Sequence, residues 1–167
     1  MVRAFSVVAV VLLIGCAGYQ LGPTNGVPAG SKSIQINLFK NDLLEPRLSE
    51  AVATSLRRTV QQDGTYQLDT HGDADIIVTG VMTRLDRSAL SFQASDILTP
   101  RDYGLTVTAR IDATEARSGK TIFSGTVNGH TTVRAAGDLV AAERQALPLL
   151  AEDLARNITS KLVDGTW

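Results

Sequence analysis

A single cysteine near the start of the chain carries the most specific chemistry in the sequence. Cys16 follows Leu13-Ile14-Gly15, so that a leucine stands three residues before the cysteine and a small residue directly before it. This is the pattern read by the lipoprotein signal peptidase, which cleaves after a diacylglyceryl group has been attached to the cysteine sulfur. The sequence therefore predicts cleavage between Gly15 and Cys16 and lipidation of Cys16, which leaves no thiol for a disulfide or for thiolate catalysis.

The residues before this cysteine have the composition of a secretory signal. Arg3 supplies a positive charge, and an apolar run follows from Phe5 to Ile14, interrupted by Ser6. The run is too short to cross a bilayer as a helix, which takes about 20 apolar residues. Each buried methylene of an acyl chain contributes about 0.8 kcal/mol to membrane binding, and two acyl chains on one protein give stable anchoring. We therefore expect a signal peptide over residues 1–15 and a mature chain held on a membrane by its lipid.

Composition divides the rest of the chain into two segments. Residues 16–33 are rich in glycine and proline and are predicted to form a lipidated N-terminus and a flexible tether. Residues 34–167 are enough for one α/β domain with its own core. The formal net charge is −1 at pH 7, so the chain lacks the basic excess of a nucleic-acid-binding protein, and we expect no nucleic-acid partner.

Hydrophobic spacing predicts the elements of that domain. Apolar residues alternate along several segments, as in half-buried strands, and recur every three or four residues along two others, as in amphipathic helices. Pro148 predicts a kink or a new helix start, and the segment from Ser88 to Asp102 is predicted to be a strand end and a loop broken at Pro100. The predicted elements are strands at 34–39, 66–70, 74–87, 105–114 and 120–133, a helix from Pro46 to Gly64, a turn at Arg117-Ser118-Gly119, and a C-terminal helix from Leu147 onward.

The order of these elements favours an α+β fold. We expect a two-layer sandwich in which two helices pack on one face of a largely antiparallel sheet of four to five strands.

The residues that suggest catalytic or metal chemistry do not have the required context. Ser118-Gly119-Lys120-Thr121 resembles the end of a phosphate-binding loop, but Thr114 stands where the first glycine belongs, and a strand follows instead of a helix. His71 and His130 lie far apart, without the spacing of a metal site. We therefore expect no catalytic residue, no metal and no cofactor.

Taken in order, several segments of the chain resemble the LptE family of lipopolysaccharide-assembly lipoproteins. The matching segments are Gly18-Tyr19-Gln20-Leu21 after the cysteine, Phe39 and Asn41 before the first helix, Gly64 at its end, Ala74 to Gln93, Tyr103-Gly104-Leu105-Thr106-Val107, Arg117 to Ile122, Glu143 to Ala155, and Trp167. The chain departs from the family pattern at Gly104, where arginine is common, and at Ser118, where the turn has threonine. The first departure removes a basic contact that would otherwise carry over.

The resemblance implies an accessory lipoprotein rather than an enzyme. It implies a place on the periplasmic face of the outer membrane, inside the β-barrel protein LptD, and a role in moving lipopolysaccharide to the cell surface. Ala17 follows the cysteine where an aspartate would be a retention signal, which also favours the outer membrane. If lipopolysaccharide is contacted directly, its phosphates favour arginine, and the candidates near predicted strand ends are Arg84, Arg87, Arg101 and Arg134.

One strand face is a candidate partner surface. Thr106, Thr108 and Arg110 lie on a face that is polar but carries few charges, which suits a hydrogen-bonded contact with the hydrophilic interior of a barrel. A solvated sheet face on which threonine is favoured by β-propensity explains the same pattern.

A second class of protein fits part of the pattern. Periplasmic lipoproteins of the curli-secretion and penicillin-binding-protein-activator type also have an A-D-x-x-x-x-G strand followed by a hairpin. That alternative implies an oligomeric export pore or an activator of a cell-wall synthase.

Replacing the cysteine tests the anchor. Cys16→Ser should block lipid attachment and leave uncleaved precursor, because a hydroxyl is a far poorer nucleophile than a thiolate. Metabolic labelling with a palmitate analogue measures the attachment. Label retained on the Cys16→Ser variant would contradict the assignment.

Overall fold

The computed structural model describes residues 28–43, 45–93, 96–134 and 138–164. The predicted signal peptide, Cys16 and Trp167 lie outside the described residues. The elements are strands β1 (Lys32–Ile36), β2 (Lys40–Asn41), β3 (Tyr66–Leu68), β4 (Ile76–Gln93), β5 (Asp96–Glu115) and β6 (Thr121–Arg134), and helices α1 (Arg47–Asp63) and α2 (Leu139–Asp164). The first strand thus begins two residues before the predicted start at Ile34, and the fold is α+β as predicted.

The sheet is mixed and has six strands, with the order β3-β1-β4-β5-β6 and β2 paired to β4. The expectation of a largely antiparallel sheet of four to five strands was therefore only roughly right. β1 runs parallel to both β3 and β4, and β2 runs parallel to β4, whereas β4, β5 and β6 form antiparallel pairs. Parallel neighbours need a crossover connection. The connection between the parallel neighbours β1 and β3 contains β2 and α1.

The β4–β5 hairpin is longer than predicted. The loop expected from Ser88 to Asp102 is wrong, because β4 continues to Gln93 and β5 starts at Asp96. Register shifts between Met82 and Arg84 and again beyond Ala89 absorb the irregular residues of this segment. Past Met82, no described strand pairs with the other edge of β4, so the sheet continues there with β4, β5 and β6.

The first helix begins at Arg47, one residue after the predicted start at Pro46, and ends before Gly64 as predicted. Leu48, Val52, Leu56 and Val60 are all buried, at the four-residue spacing seen in the sequence. Gly64 ends the helix in the left-handed conformation, with φ of 75°, and its N–H donates to the Val60 carbonyl at 3.2 Å.

The second helix is one continuous element through Pro148. It begins at Leu139 rather than Leu147, so a new helix start at the proline is excluded. Leu150, Leu154 and Ile158 are fully buried, which confirms that this face belongs to the core. Both helices join a single hydrophobic cluster with one face of the sheet.

Truncating the centre of this face should destabilise the domain. Leu154→Ala removes a fully buried side chain, and we expect a loss of about 2–5 kcal/mol in the free energy of unfolding, measured by urea titration. Leu149→Ala is the matched control, because Leu149 lies on the same helix but is 58% exposed. Equal midpoints for the two variants would contradict the core assignment.

Candidate functional site

The two faces of the sheet differ sharply in polarity. Along β5, Leu105, Val107 and Ala109 are buried under the helices, while Thr106 and Thr108 between them point to the opposite face. No described helix covers this opposite face, which we call the open face. The residues predicted as a partner surface, including the exposed Arg110, are therefore brought together on it.

Neighbouring polar groups satisfy one another across the open face. The Thr106 Oγ1 lies 3.0 Å from the His130 Nδ1, and the Ser124 hydroxyl donates to the Asp112 carboxylate at 2.6 Å. Arg110 makes no ion pair with any described residue. The open face thus combines hydrogen-bonded hydroxyls with charged side chains of both signs, among them Arg84, Asp86 and Arg110.

The structure separates the four candidate arginines. Arg84 lies on the open face and pairs with Asp86 at 3.1 Å. Arg87 is opposite the buried Leu105, so it lies on the helix side, where it forms an ion pair with Glu143 of α2. Arg87 therefore connects the hairpin to the helix and stands apart from the other three.

Arg101 and Arg134 are brought together by an acid that the sequence analysis did not single out. The Asp102 carboxylate accepts from Arg101 Nε at 3.0 Å and from Arg134 Nε at 2.9 Å. It also accepts a hydrogen bond from the Ser91 hydroxyl on β4. The hydrogen bonds from Ser91, Arg134 and Arg101 hold the pKa of the Asp102 carboxyl well below its ordinary value.

Three exposed apolar side chains lie among the described residues next to the hairpin tip. Leu90, Phe92 and Leu98 are large exposed side chains, and Leu98 is 85% exposed. A Cβ added to Gly104 would lie 3.5 Å from a Leu90 methyl carbon. The glycine that departs from the family pattern therefore lies beneath Leu90, on the open face. Exposed apolar side chains grouped next to cations are typical of a contact with an amphiphile or an apolar partner.

The remaining candidate motifs have structural roles. Ser118-Gly119-Lys120-Thr121 forms the turn between β5 and β6, with φ of 69° at Gly119. In the part of the chain that the structure describes, no three His, Cys, Asp or Glu side chains group as metal ligands. Within the same ranges, neither helix is long and apolar enough to cross a membrane.

Comparison with known proteins confirms the resemblance drawn from the sequence. The family model LptE, described as lipopolysaccharide-assembly, matches residues 31–162. No curated protein sequence matches the chain.

Solved structures share the fold at low sequence identity. A protein from Xanthomonas campestris has a TM-score of 0.58 at 12% identity, covering 87% of this chain and 92% of its own. A putative lipoprotein from Caulobacter crescentus has a TM-score of 0.51 at 14% identity, with coverages of 75% and 87%. The PelC dodecamer from Paraburkholderia phytofirmans also has a TM-score of 0.51 at 14% identity, with coverages of 81% and 93%. At these identities the likeness shows the fold alone.

The lowered pKa of Asp102 predicts how stability depends on pH. A carboxyl whose pKa is lowered by folding stabilises the folded state above its unfolded pKa, about 4. That contribution is lost as the pH falls through the folded pKa. We therefore expect Asp102→Asn, which cannot titrate, to lose less unfolding free energy than the wild type between neutral and strongly acidic pH.

Urea titrations of the full chain at a series of pH values measure this loss. Asp86→Asn is the matched control on β4, because Asp86 pairs with an exposed arginine of the same strand. Its loss of unfolding free energy on acidification should be close to that of the wild type. An equal loss in Asp102→Asn and wild type would contradict the role of the Asp102 contacts.

Proposed function

Because the chain belongs to the LptE lipopolysaccharide-assembly family, we propose that it is a non-catalytic lipoprotein on the periplasmic face of the outer membrane. In this role it is the plug and assembly partner of an LptD-type β-barrel and helps lipopolysaccharide reach the cell surface. The match over residues 31–162 is the observation that carries the proposal. It spans every described strand and helix apart from the last residues of α2.

The first described residues lie at one end of the sheet. The Gly30 N–H donates to the Thr65 carbonyl, and Lys32 pairs with Glu115 at the end of β5. The chain thus enters at the end of the sheet where β4 starts. The hairpin tip lies at the other end of β4, whose 18 residues span up to about 55 Å. We propose that a lipid at Cys16 and the exposed apolar side chains of the hairpin serve two different contacts.

The open face supports the barrel as partner. Its hydroxyls and its one arginine without a described ion partner can hydrogen-bond to the hydrophilic side chains that line a barrel lumen. Interfaces of this kind are polar and hold bridging water. The opposite sheet face is fully used by α1 and α2, so the open face is the large surface left for a partner.

Lipopolysaccharide contact is proposed for Arg84 on the open face and for the two arginines that bind Asp102. Arg84, Arg101 and Arg134 are all more than half exposed, and guanidinium groups suit phosphate. We assign Arg87 a different role, because its ion pair with Glu143 fixes the hairpin to α2.

Photo-crosslinking in cells tests the barrel contact. Crosslinkers at Thr106, Thr108 or Arg134 should trap one large outer-membrane barrel protein, because these positions lie on the open face or at its end. A crosslinker at Gln62, an exposed position on α1, is the matched control and should trap the barrel much less. Depletion of the lipoprotein should also lower the amount of correctly folded barrel.

Two outcomes would overturn the proposal. Crosslinks only between copies of this chain would favour the oligomeric-pore alternative. Equal trapping from Gln62 and from Thr106 would mean that the open face is not the contact surface.

A further inference from the structure

One carboxylate holds together three segments of the hairpin region. Asp102 faces Arg134 directly across the β5–β6 pair, follows Arg101 in the chain, and lies opposite Ser91 of β4. It accepts a hydrogen bond from each of these three side chains. Its side chain is only 19% exposed, whereas those of Arg101 and Arg134 are 52% and 68% exposed. The acid is therefore covered by the groups that it holds.

The atoms used in these contacts matter. Both arginines bind Asp102 through Nε, and neither makes a hydrogen bond through its terminal Nη atoms to any other described residue. Each guanidinium has five N–H donors, so the four terminal donors of each have no protein partner among the described residues. The carboxylate fixes the orientation of two guanidiniums and leaves their terminal donors for another anion.

We propose that Asp102 is a positioning residue that holds Arg101 and Arg134 as a two-guanidinium clamp for a phosphate group on an amphiphile. This inference rests on the proposed lipopolysaccharide contact and specifies how that contact is made. Two guanidiniums and one carboxylate leave a net charge of about +1. A phosphate monoester, with a charge of about −1.5 to −2 at neutral pH, complements this charge, and paired N–H groups bind its oxygens bidentately.

Holding the arginines in place favours binding for an entropic reason. A free arginine side chain loses rotamer entropy when it is fixed, and a side chain fixed beforehand avoids that loss on binding. Asp102 thereby preorganises the two guanidiniums for binding an anion.

The apolar tip selects an amphiphile over a free phosphate. Leu90 and Phe92 flank Ser91 on β4, and both are about half exposed or more. A ligand that carries a phosphate and an acyl chain can bind the clamp and bury this apolar surface together. Inorganic phosphate can bind the clamp alone.

A model in which only the local positive charge matters makes the opposite prediction. If charge alone mattered, Asp102→Asn would add one positive charge and strengthen the binding of any anion. If Asp102 positions the arginines, the same substitution weakens phosphate-dependent binding. Arg134→Lys separates the two models again, because it keeps the charge and loses the Nε contact together with the fork of donors.

The experiment compares two probes in detergent with the full chain. Lipid A and dephosphorylated lipid A carry the same acyl chains. The Kd for dephosphorylated lipid A divided by the Kd for lipid A therefore reports the phosphate contribution. We expect both Asp102→Asn and Arg134→Lys to lower that ratio by about tenfold, the factor for one lost hydrogen bond to a charged group. Their Kd values for dephosphorylated lipid A should stay unchanged.

Matched controls and a third probe complete the design. Arg58→Lys makes the same exchange on α1, where the arginine pairs with Glu152, and it should keep the wild-type ratio. Inorganic phosphate should compete weakly, since it gains nothing from the tip. Arg134→Lys changes an exposed side chain, so this variant tests the clamp even if Asp102→Asn fails to fold.

The outcomes separate this inference from the function on which it rests. A wild type that distinguishes the two probes, together with variants that keep its ratio, overturns the clamp and leaves lipopolysaccharide contact standing. A wild type that binds the two probes equally overturns both the clamp and the contact. Barrel crosslinking from Thr106 depends on neither result.

Discussion

The backbones of α2 and β6 meet at Gly129, and the two-faced character of the domain depends on that contact. A Cβ at this position would lie 2.7 Å from the Leu154 Cβ and 2.8 Å from the Leu154 amide nitrogen, so only glycine lets the helix approach so closely. Beside it, Asp153 accepts the His130 backbone N–H and Asn157 donates to the Asn128 carbonyl. The helix therefore covers the edge of β6 as well as one face of the sheet.

The helices cover one face of the sheet, and α2 also covers the edge of β6, so the open face is left for contact with a partner. Both helices share a core with the alternating apolar residues of β4 and β5, and this arrangement uses the apolar side of every long strand. The hydroxyl-rich side stays open, and the hairpin carries it beyond the helices to an apolar tip. The open face and the exposed apolar side chains of the hairpin thus lie along the same long strands, and each is suited to a different environment.

Much of this fold follows from local patterns. The four-residue spacing from Leu48 to Val60 and the alternation from Leu105 to Ala113 were enough to predict α1, the buried face of β5 and the β5–β6 turn. The parallel pairing of β1 was not predictable in this way, because periodicity gives the face of a strand but not its neighbour. The two residues of β2 are too few to show any period.

The candidate site was predictable only in part, because a bulge decides which faces of the sheet Arg84 and Arg87 occupy. The extra residue between Met82 and Arg84 reverses the alternation of β4, so Arg84 faces the open side and Arg87 the helices. Without the bulge the two would exchange faces. Asp102 escaped notice because its partner Arg134 is 32 residues away, and their meeting depends on the β5–β6 register, which a sequence pattern does not reveal.

If the proposed function is right, this chain binds a single β-barrel protein. Affinity purification of the full-length chain from detergent-solubilised outer membrane, followed by mass spectrometry of the intact complex, measures this composition. We expect a complex of one copy of this chain with one large β-barrel protein. A homo-oligomeric ring, or a complex with a membrane-anchored cell-wall synthase and no barrel, would contradict it.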